Sequence, residues 1–373
     1  MNATYTLPEG AALPQPWYQL SDLPGLADVI LDGTSLTLLS SDGHVFGTGI
    51  LDRRDPLAAW RRFSPSDTVA WDESYLSLAL QDALERRAEE ACQRLVNSDA
   101  DYLPGFIAEC YGDVLLLSAE TAAADASLPL MIELFREHFD FREIVLMHAG
   151  ECRRAFGLPL ELKTVSGNNL KGFWVDIDGL SYRIDPLRPE KPGFVLDLRE
   201  QHALVGSLCA GRRVLSLGEG QGAFGLQALR AEAELAHAVT PDEVASKAIG
   251  ANAQKNGLGL STECAPAMAY LESCQAADYD ALVLEPSVMM APAQWVRMHR
   301  LALQALAPGG ILATYCRIPD GTSAVFESAL RESFAVEGRE GRVFAAVGQP
   351  FDFPWLMQLP QTKPLGGFIL QVE

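Results

Sequence analysis

Lysine is scarce in this chain: there are six among 373 residues, the first of them at Lys163. The seven cysteines (Cys92, Cys110, Cys152, Cys209, Cys264, Cys274, Cys316) are odd in number, scattered and free of any C-x-x-C pair. That argues against both a disulfide framework and a zinc site. The six histidines (His44, His138, His148, His202, His237, His299) show no metal-ligand spacing. Neither a P-loop nor a G-x-S-x-G elbow occurs, so the sequence carries no signature of a nucleotide triphosphatase or a serine hydrolase. No apolar run approaches the roughly 18 residues of a membrane span. The opening MNATYTLPEG lacks the basic and apolar regions of a signal peptide. Together these absences predict a reduced, cytoplasmic protein with no membrane partner.

Positive charge is short as well, the formal net charge being −20. A protein that grips nucleic acid gains affinity by neutralising phosphates with Lys and Arg, so this acidity counts against strong RNA binding. Arginine pairs nevertheless recur, at Arg53-Arg54, Arg61-Arg62, Arg86-Arg87, Arg153-Arg154 and Arg212-Arg213. They leave a local basic groove open, although solvated surface pairs are the plainer reading of each.

What is present is a globular composition, 48% hydrophobic and 21% charged, long enough for two or three cores. Residues 35–51 read as a hairpin turning at Ser41-Asp42-Gly43. Leu and Ala at helical spacing predict one helix over 74–95. Strands follow at 105–109 and 113–118, a helix at 127–138, a strand at 143–147, and a strand pair near 173–184 turning at Asp178-Gly179. From about 190 strands and helices alternate, with strands at 214–218, 235–239, 281–285, 309–316, 343–347 and 367–372. The helices between them fall after 222, over 242–255, over 292–306 and over 322–334. Such a β-α repeat predicts a mostly parallel sheet covered on both faces. The expected division is a β-rich domain at 1–73, a central α+β domain at 74–188 and a Rossmann-like α/β domain at 189–373.

The first chemistry lies in Val214-Leu215-Ser216-Leu217-Gly218-Glu219-Gly220-Gln221-Gly222, an apolar strand running into G-x-G-x-G and then a helix. Glycines let the backbone turn tightly and approach a ligand, and a helix N-terminus offers free N–H groups. Alone, this loop fits NAD, FAD, S-adenosylmethionine (SAM) or a plain strand-helix turn. About 20 residues on, Val239-Thr240-Pro241-Asp242-Glu243 ends the second strand, and the helix after it closes on Asn252-Ala253-Gln254-Lys255-Asn256-Gly257. That context is more typical of class I methyltransferases than of dehydrogenases.

Longer motifs extend the likeness over nearly the whole chain. Arg94-Leu95-Val96-Asn97-Ser98-Asp99-Ala100-Asp101-Tyr102-Leu103-Pro104-Gly105-Phe106-Ile107, continuing to Tyr111-Gly112-Asp113, resembles a family pattern R-L-V-x-G-E-x-D-G-L-P-G-L-I…Y-G-D. Lys191-Pro192-Gly193-Phe194-Val195-Leu196-Asp197-Leu198-Arg199 resembles K-T-G-F-Y-L-D-Q-R. Asp352-Phe353-Pro354 and Leu365-Gly366-Gly367-Phe368 resemble D-H-P and L-K-G-F, and Pro16-Trp17 the opening of a PUA domain. The family so resembled is that of the PUA-domain 23S rRNA (cytosine-C5)-methyltransferases, of which this chain would be a divergent member. The resemblance implies a PUA-like first domain and a C-terminal class I methyltransferase domain with a seven-stranded, mostly parallel sheet. It further implies SAM as cofactor and structured RNA, rRNA, as substrate. A homodimer is left open. The implied cofactor-binding residues are Lys191, Phe194, Arg199, Gly218, Glu219, Gly220, Gly222 and Thr240.

Departures from the pattern fall on the chemistry. Where such enzymes carry carboxylates on the first three strands, this chain has Ser216, Thr240 and Pro266. Thr offers a ribose diol one neutral oxygen, where a carboxylate accepts both hydroxyl protons; Glu219, Asp242 and Glu243 are the alternative acceptors. The family's D-P-P-K is Glu285-Pro286-Ser287-Val288. Cytosine C5 methylation requires a thiolate to attack C6 and an acid at N3, the role that falls to Glu285. Counting along Gly309-Gly310-Ile311-Leu312-Ala313-Thr314-Tyr315-Cys316-Arg317, the nucleophile position holds Arg317, with Cys316 one residue early. One residue on a strand reverses the face, and a core cysteine is the plainer reading of Cys316. The candidate catalytic residues are thus Glu285, Cys316 and Arg317. Two functions stand: a SAM-dependent methyltransferase with altered catalytic motifs, and a catalytically inactive descendant serving as a binding or assembly module.

Overall fold

The computed structural model describes residues 3–10, 15–188, 193–218, 220–285, 290–317 and 323–373. The chain divides into two compact units, one of residues 1–171 with 351–362 and one of residues 172–350 with 363–373.

The first unit holds two five-stranded sheets. One has the order β1-β3-β4-β5-β2, from β1 (Ala3–Thr6), β2 (Trp17–Tyr18), β3 (Ser35–Leu39), β4 (Val45–Leu51) and β5 (Trp60–Ser64). Helix α1 (Glu73–Glu85) follows, then β6 (Cys92–Asn97), β7 (Phe106–Tyr111), β8 (Val114–Ala119), α2 (Ala122–His138), β9 (Glu143–His148), α3 (Glu151–Ala155) and β10 (Glu161–Thr164). These strands form the second sheet, order β10-β9-β8-β7-β6. Its core gathers Leu95, Phe106, Leu115 and Leu117 with Leu80 of α1 and Met131 and Phe135 of α2.

The single helix expected over 74–95 is wrong in its second half. Helix α1 stops at Glu85, and 92–97 pair antiparallel with β7. The charged stretch between them turns because the Arg87 side chain is buried. Its Nε donates to the Arg94 carbonyl at 2.6 Å, and its Nη2 to Asp101 Oδ2 at 2.6 Å. A buried ion pair with complete hydrogen bonding outweighs the fraction of a kcal/mol per residue that helix propensity offers. Helix α2 begins five residues before expectation, where Thr121 Oγ1 accepts the Ala124 N–H at 3.3 Å as an N-cap.

The second unit begins with the hairpin β11 (Phe173–Ile177) and β12 (Leu180–Ile184). There follow α4 (Arg199–Ser207), β13 (Arg213–Gly218), α5 (Ala223–Arg230), β14 (Leu235–Thr240), α6 (Glu243–Asn256) and β15 (Ser261–Cys264). The last elements are α7 (Ala267–Ser273), β16 (Tyr279–Glu285), α8 (Pro292–Ala305), β17 (Leu306–Arg317), α9 (Ala324–Glu337), β18 (Gly341–Val347) and β19 (Leu365–Val372). The sheet runs β15-β14-β13-β16-β17-β19-β18, and β19 is antiparallel to both its neighbours. One face packs Leu215, Leu217, Leu282 and Leu284 against Met298 and Leu303 of α8. With β13 at the centre of the order reversal, the crevice at its C-terminal end is where ligands bind in open α/β sheets.

Two expected boundaries move. The hairpin, assigned by sequence to the central domain ending at 188, belongs to the second unit, which starts at Gly172. Asn256 explains why: its Oδ1 accepts the Ser181 N–H and its Nδ2 donates to the Ser181 carbonyl, both at 2.8 Å. The amide side chain thereby acts as a strand partner, fastening the hairpin to α6. Residues 351–362, read as part of the last domain, return to the first unit. There Asp352 Oδ2 accepts the Arg94 N–H at 2.8 Å, and the Pro354 carbonyl accepts from Asn97 Nδ2 at 2.7 Å. The Arg94 guanidinium lies 4.4 Å from the centre of the Phe353 ring. The D-F-P segment is therefore a strap on β6, joining two motifs that sequence separates by 250 residues.

Candidate functional site

The site is built on the C-terminal ends of β14, β13, β16 and β17. Leu217 pairs with Val239, Gly218 with Glu285, and Leu284 with Thr314. These registers set Thr240, Gly218, Glu285 and Tyr315 in one row across the sheet edge. The glycines of the loop do different things. A Cβ on Gly218 would stand 3.0 Å from both the Cβ and the carbonyl oxygen of Glu285. At Gly220 it would meet, among the described residues, only the Glu285 carboxylate, at 3.5 and 3.8 Å. Gly222 has φ +78° and heads α5, and there a Cβ would reach within 2.7 Å of Ile249. Its glycine is a requirement of the backbone, whereas Gly220 leaves open space facing a carboxylate.

Gln221, buried between these glycines, is fixed from two sides. Its Nε2 donates to the Arg183 carbonyl at 3.0 Å, and its Oε1 accepts from Asn252 Nδ2 at 3.0 Å. Asn252 Oδ1 in turn accepts the Arg183 N–H at 3.2 Å. The loop, the hairpin and α6 thus form one hydrogen-bonded assembly.

The two faces of β17 separate the catalytic candidates. Tyr315 stacks on Phe224 of α5, ring centres 5.4 Å apart. Cys316 points the other way, into a cluster with Trp295, Phe326 and Ala329 beneath α8 and α9. Its Sγ donates to the Gly366 carbonyl at 3.6 Å, and burial pushes its thiol up to about 12. Cys316 is therefore removed from the catalytic set: strand alternation seats it in the core and keeps it protonated. Arg317 returns to the Tyr315 face, where both its Nη atoms bond the Asp197 carboxylate. Burial works against the Arg317 charge, but its bonds to Asp197, and then the charges of Asp197 and Glu285, outweigh this and hold its pKa above the usual value.

Phe194 is buried in a ladder of rings. Tyr182 lies 4.7 Å from it and His202 5.5 Å, with Phe224 a further 4.5 Å beyond His202. Burial alone pulls His202 down to about 3, so it is neutral. Among the described residues the hydroxyls of Tyr182 and Tyr315 and Nδ1 of His202 are buried without a hydrogen-bond partner. Arg199 is buried at the start of α4. Lys191 and Glu219 lie outside the described residues. Thr240 is fully buried, its Oγ1 accepting the Asp242 N–H at 3.4 Å. Asp242 caps α6 through the N–H groups of Val244 and Ala245, and Glu243 is paired with Lys247 on the surface. Neither acid sits as a ribose acceptor. Ser216 is buried on β13, and Pro266 precedes α7. Among the described residues no group of three His, Cys, Asp or Glu is placed to hold a metal ion. No described helix is long and apolar enough to cross a membrane.

No family model matches the chain. A solved structure described as "a putative sam-dependent methyltransferase from Streptococcus mutans" superposes with a TM-score of 0.84 at 19% identity, covering 99% of this chain and 100% of that one. The chain has a class I methyltransferase fold. Ribosomal RNA large subunit methyltransferase I of Aeromonas salmonicida (strain A449) is 23% identical over 380 residues, covering 96% of this chain and 95% of that protein. The ribosomal RNA large subunit methyltransferase of Deinococcus radiodurans is 27% identical over 335 residues, or 79% of this chain and 81% of that protein. Within this methyltransferase fold, sequence reasoning missed Asp197, Tyr315 and the Gln221–Asn252 pair. Asp197 was visible only as one letter of the segment 191–199. Its partner lies 120 residues away, and spacing along the chain cannot signal that.

Proposed function

We propose that this protein is a SAM-dependent methyltransferase acting on RNA of the large ribosomal subunit. The observation that carries the reading is the glycine cradle at the C-terminal end of the central strand: Gly218 packs closely on Glu285, Gly220 faces the Glu285 carboxylate, and Gly222 heads helix α5. Side chains there would fill the space a ligand needs, and the α5 N–H groups are donors for it. The residues present fit SAM along the loop. Backbone groups of Gly218, Gly220 and Gly222 would hold it, with Phe194, Arg199, Lys191 and Glu219 as flanking contributors. Bound SAM supplies an electrophilic methyl on a sulfonium. The curated relatives support RNA as the methyl acceptor, and residues 3–64 are proposed as a PUA-like RNA-contacting module. The cytosine-C5 specificity of the resembled family is not carried over, because its thiolate has no counterpart facing the cradle.

A second reading, a catalytically inactive binding module, is favoured by one observation. Thr240 is sealed, and no described carboxylate stands in its place for a ribose diol. Calorimetric titration with SAM and its demethylated product separates the two. Micromolar binding supports the enzyme; no binding at millimolar ligand supports the module.

A further inference from the structure

Resting on the methyltransferase reading, we propose that the acceptor at this site is a ring lactam N–H of a nucleobase, of the guanine or uracil type. Glu285 takes the proton, and Arg317 stabilises the anion left on the lactam. The argument begins with position. Glu285 ends β16 directly across from Gly218, and Arg317 ends the adjacent strand β17 on the same face as Tyr315. Asp197 engages both Nη atoms of Arg317, which fixes the guanidinium plane and leaves it N–H donors to spare. About a third of the Arg317 side chain remains exposed (34%), against 12% of Asp197. A carboxylate and a pinned cation with N–H donors to spare therefore share one face of the sheet edge beside the cradle.

Chemistry then selects the acceptor. Carbon methylation of cytosine needs a thiolate, and Cys316 is on the opposite face. Methylating an exocyclic amine leaves no anion on a ring carbonyl for Arg317 to receive. A ribose hydroxyl is too weak an acid for a carboxylate base. A lactam N–H is more acidic by several pKa units, and its conjugate base spreads negative charge onto the carbonyl oxygen, where Arg317 donates. The step balances. The N–H proton passes to a Glu285 oxygen, and the electron pair left on nitrogen forms the new N–CH₃ bond. The methyl–sulfur bond breaks with its pair staying on sulfur, turning a sulfonium into a neutral thioether, and Glu285 releases its proton to water. Asp197 is a positioning residue, acting only through Arg317.

The test starts with the full chain and no methyl donor. Guanosine, 1-methylguanosine, uridine, 3-methyluridine and cytidine are titrated separately by calorimetry. The expected result is that a lactam nucleoside binds about tenfold more tightly than its N-methyl form and than cytidine, the worth of one charge-assisted hydrogen bond. Glu285→Gln should abolish that preference. Asp197→Ala should weaken it, and Asp197→Glu should restore part of it, which a merely structural role for Asp197 would not produce. Equal binding of cytidine, no nucleoside binding, or a preference untouched by Glu285→Gln overturns the inference. Transfer of labelled methyl to large-subunit rRNA, followed by nucleoside analysis, separates the two levels. Label on a cytosine carbon overturns the lactam assignment and keeps the methyltransferase. Lactam preference without any transfer keeps the recognition and overturns the methyltransferase.

Discussion

Gly218 and Glu285 are register partners on adjacent parallel strands, so close that a Cβ on Gly218 would press on the Glu285 backbone at 3.0 Å. Gly220, two residues on, faces among the described residues only the end of the same side chain, at 3.5 Å. The two glycines should therefore fail differently. Gly218→Ala is expected to lower stability by about 1–3 kcal/mol, because backbone atoms must shift. Gly220→Val should leave the melting temperature within a few degrees and abolish SAM binding, since its branches occupy the cradle. Thermal melts and calorimetry on both variants check this. A folded Gly220→Val protein with undiminished affinity places the cofactor elsewhere.

Cys316 should be dispensable for chemistry. Its thiol is buried against Trp295 and Phe326 and raised to about 12, so almost none is thiolate at neutral pH. Cys316→Ser should retain methyl transfer within about twofold while costing about 1–2 kcal/mol for a hydroxyl in an apolar site. Alkylation of the native protein should reach exposed Cys264 well before Cys316. Loss of transfer in a folded Cys316→Ser protein, with a covalent adduct to 5-fluorocytosine RNA, would restore the thiolate route.

Acid should destabilise the second unit through two histidines. Burial holds His202 and His299 down to about 3 in the folded protein, against an ordinary value of about 6.5. Above pH 6.5 both are neutral in either state and contribute no pH dependence. Below it only the unfolded chain takes up the protons, so folding stability falls as pH drops from 6.5 toward 3. Each group contributes about 1.4 kcal/mol per pH unit. Denaturant titrations at pH 7, 6 and 5 should show this loss, and His202→Phe, which keeps a ring between Phe194 and Phe224, should remove about half of it. An unchanged slope in that variant shows that other groups drive the acid response.

Six strands of the sheet were legible in the sequence because they are apolar runs broken by Gly and Pro turns, whereas the edge strand β15, the polar Ser261–Cys264, carries no such signal and was missed. The glycine loop was legible for the same reason. What stayed hidden was everything fixed by partners far along the chain. Nothing local marks Arg87 as the residue that ends α1, because its Asp101 lies beyond the turn it creates. The face of Cys316 could be suspected from a one-residue offset, but only Trp295 and Phe326 decide it. Arg317 could be located at the nucleophile position, yet its role depends on Asp197. Asn252 and Asn256 looked like an ordinary helix end and prove to be the fastening of the hairpin and the loop.

RNA affinity should respond weakly to salt. The first unit carries 13 basic and 27 acidic side chains. At least ten of the 13 are already held in ion pairs: Arg53 with Asp32, Arg54 with Asp52, Arg61 with Asp55 and Asp99, and Arg86 and Arg87 with Asp101. Arg94, Arg142, Arg153, Arg154 and Lys163 are paired likewise. Apart from Arg62, the first unit's arginine pairs that suggested a basic groove are thus held in ion pairs within the fold, and Arg61, with its side chain 9% exposed, cannot leave its two carboxylates without stranding them. Each phosphate neutralised contributes about 0.7–0.9 to the slope of log affinity against log salt. With at most three cations outside those pairs, the first unit should contribute no more than about −3 to the slope for a large-subunit rRNA fragment between 50 and 200 mM salt. Recognition would then rest on base contacts at the sheet edge and on shape. A contribution near −6 would show that these ion pairs open and exchange their carboxylates for phosphates, and it would be read as a slope that flattens in Arg54→Ala, whose side chain is about half exposed in the native pair.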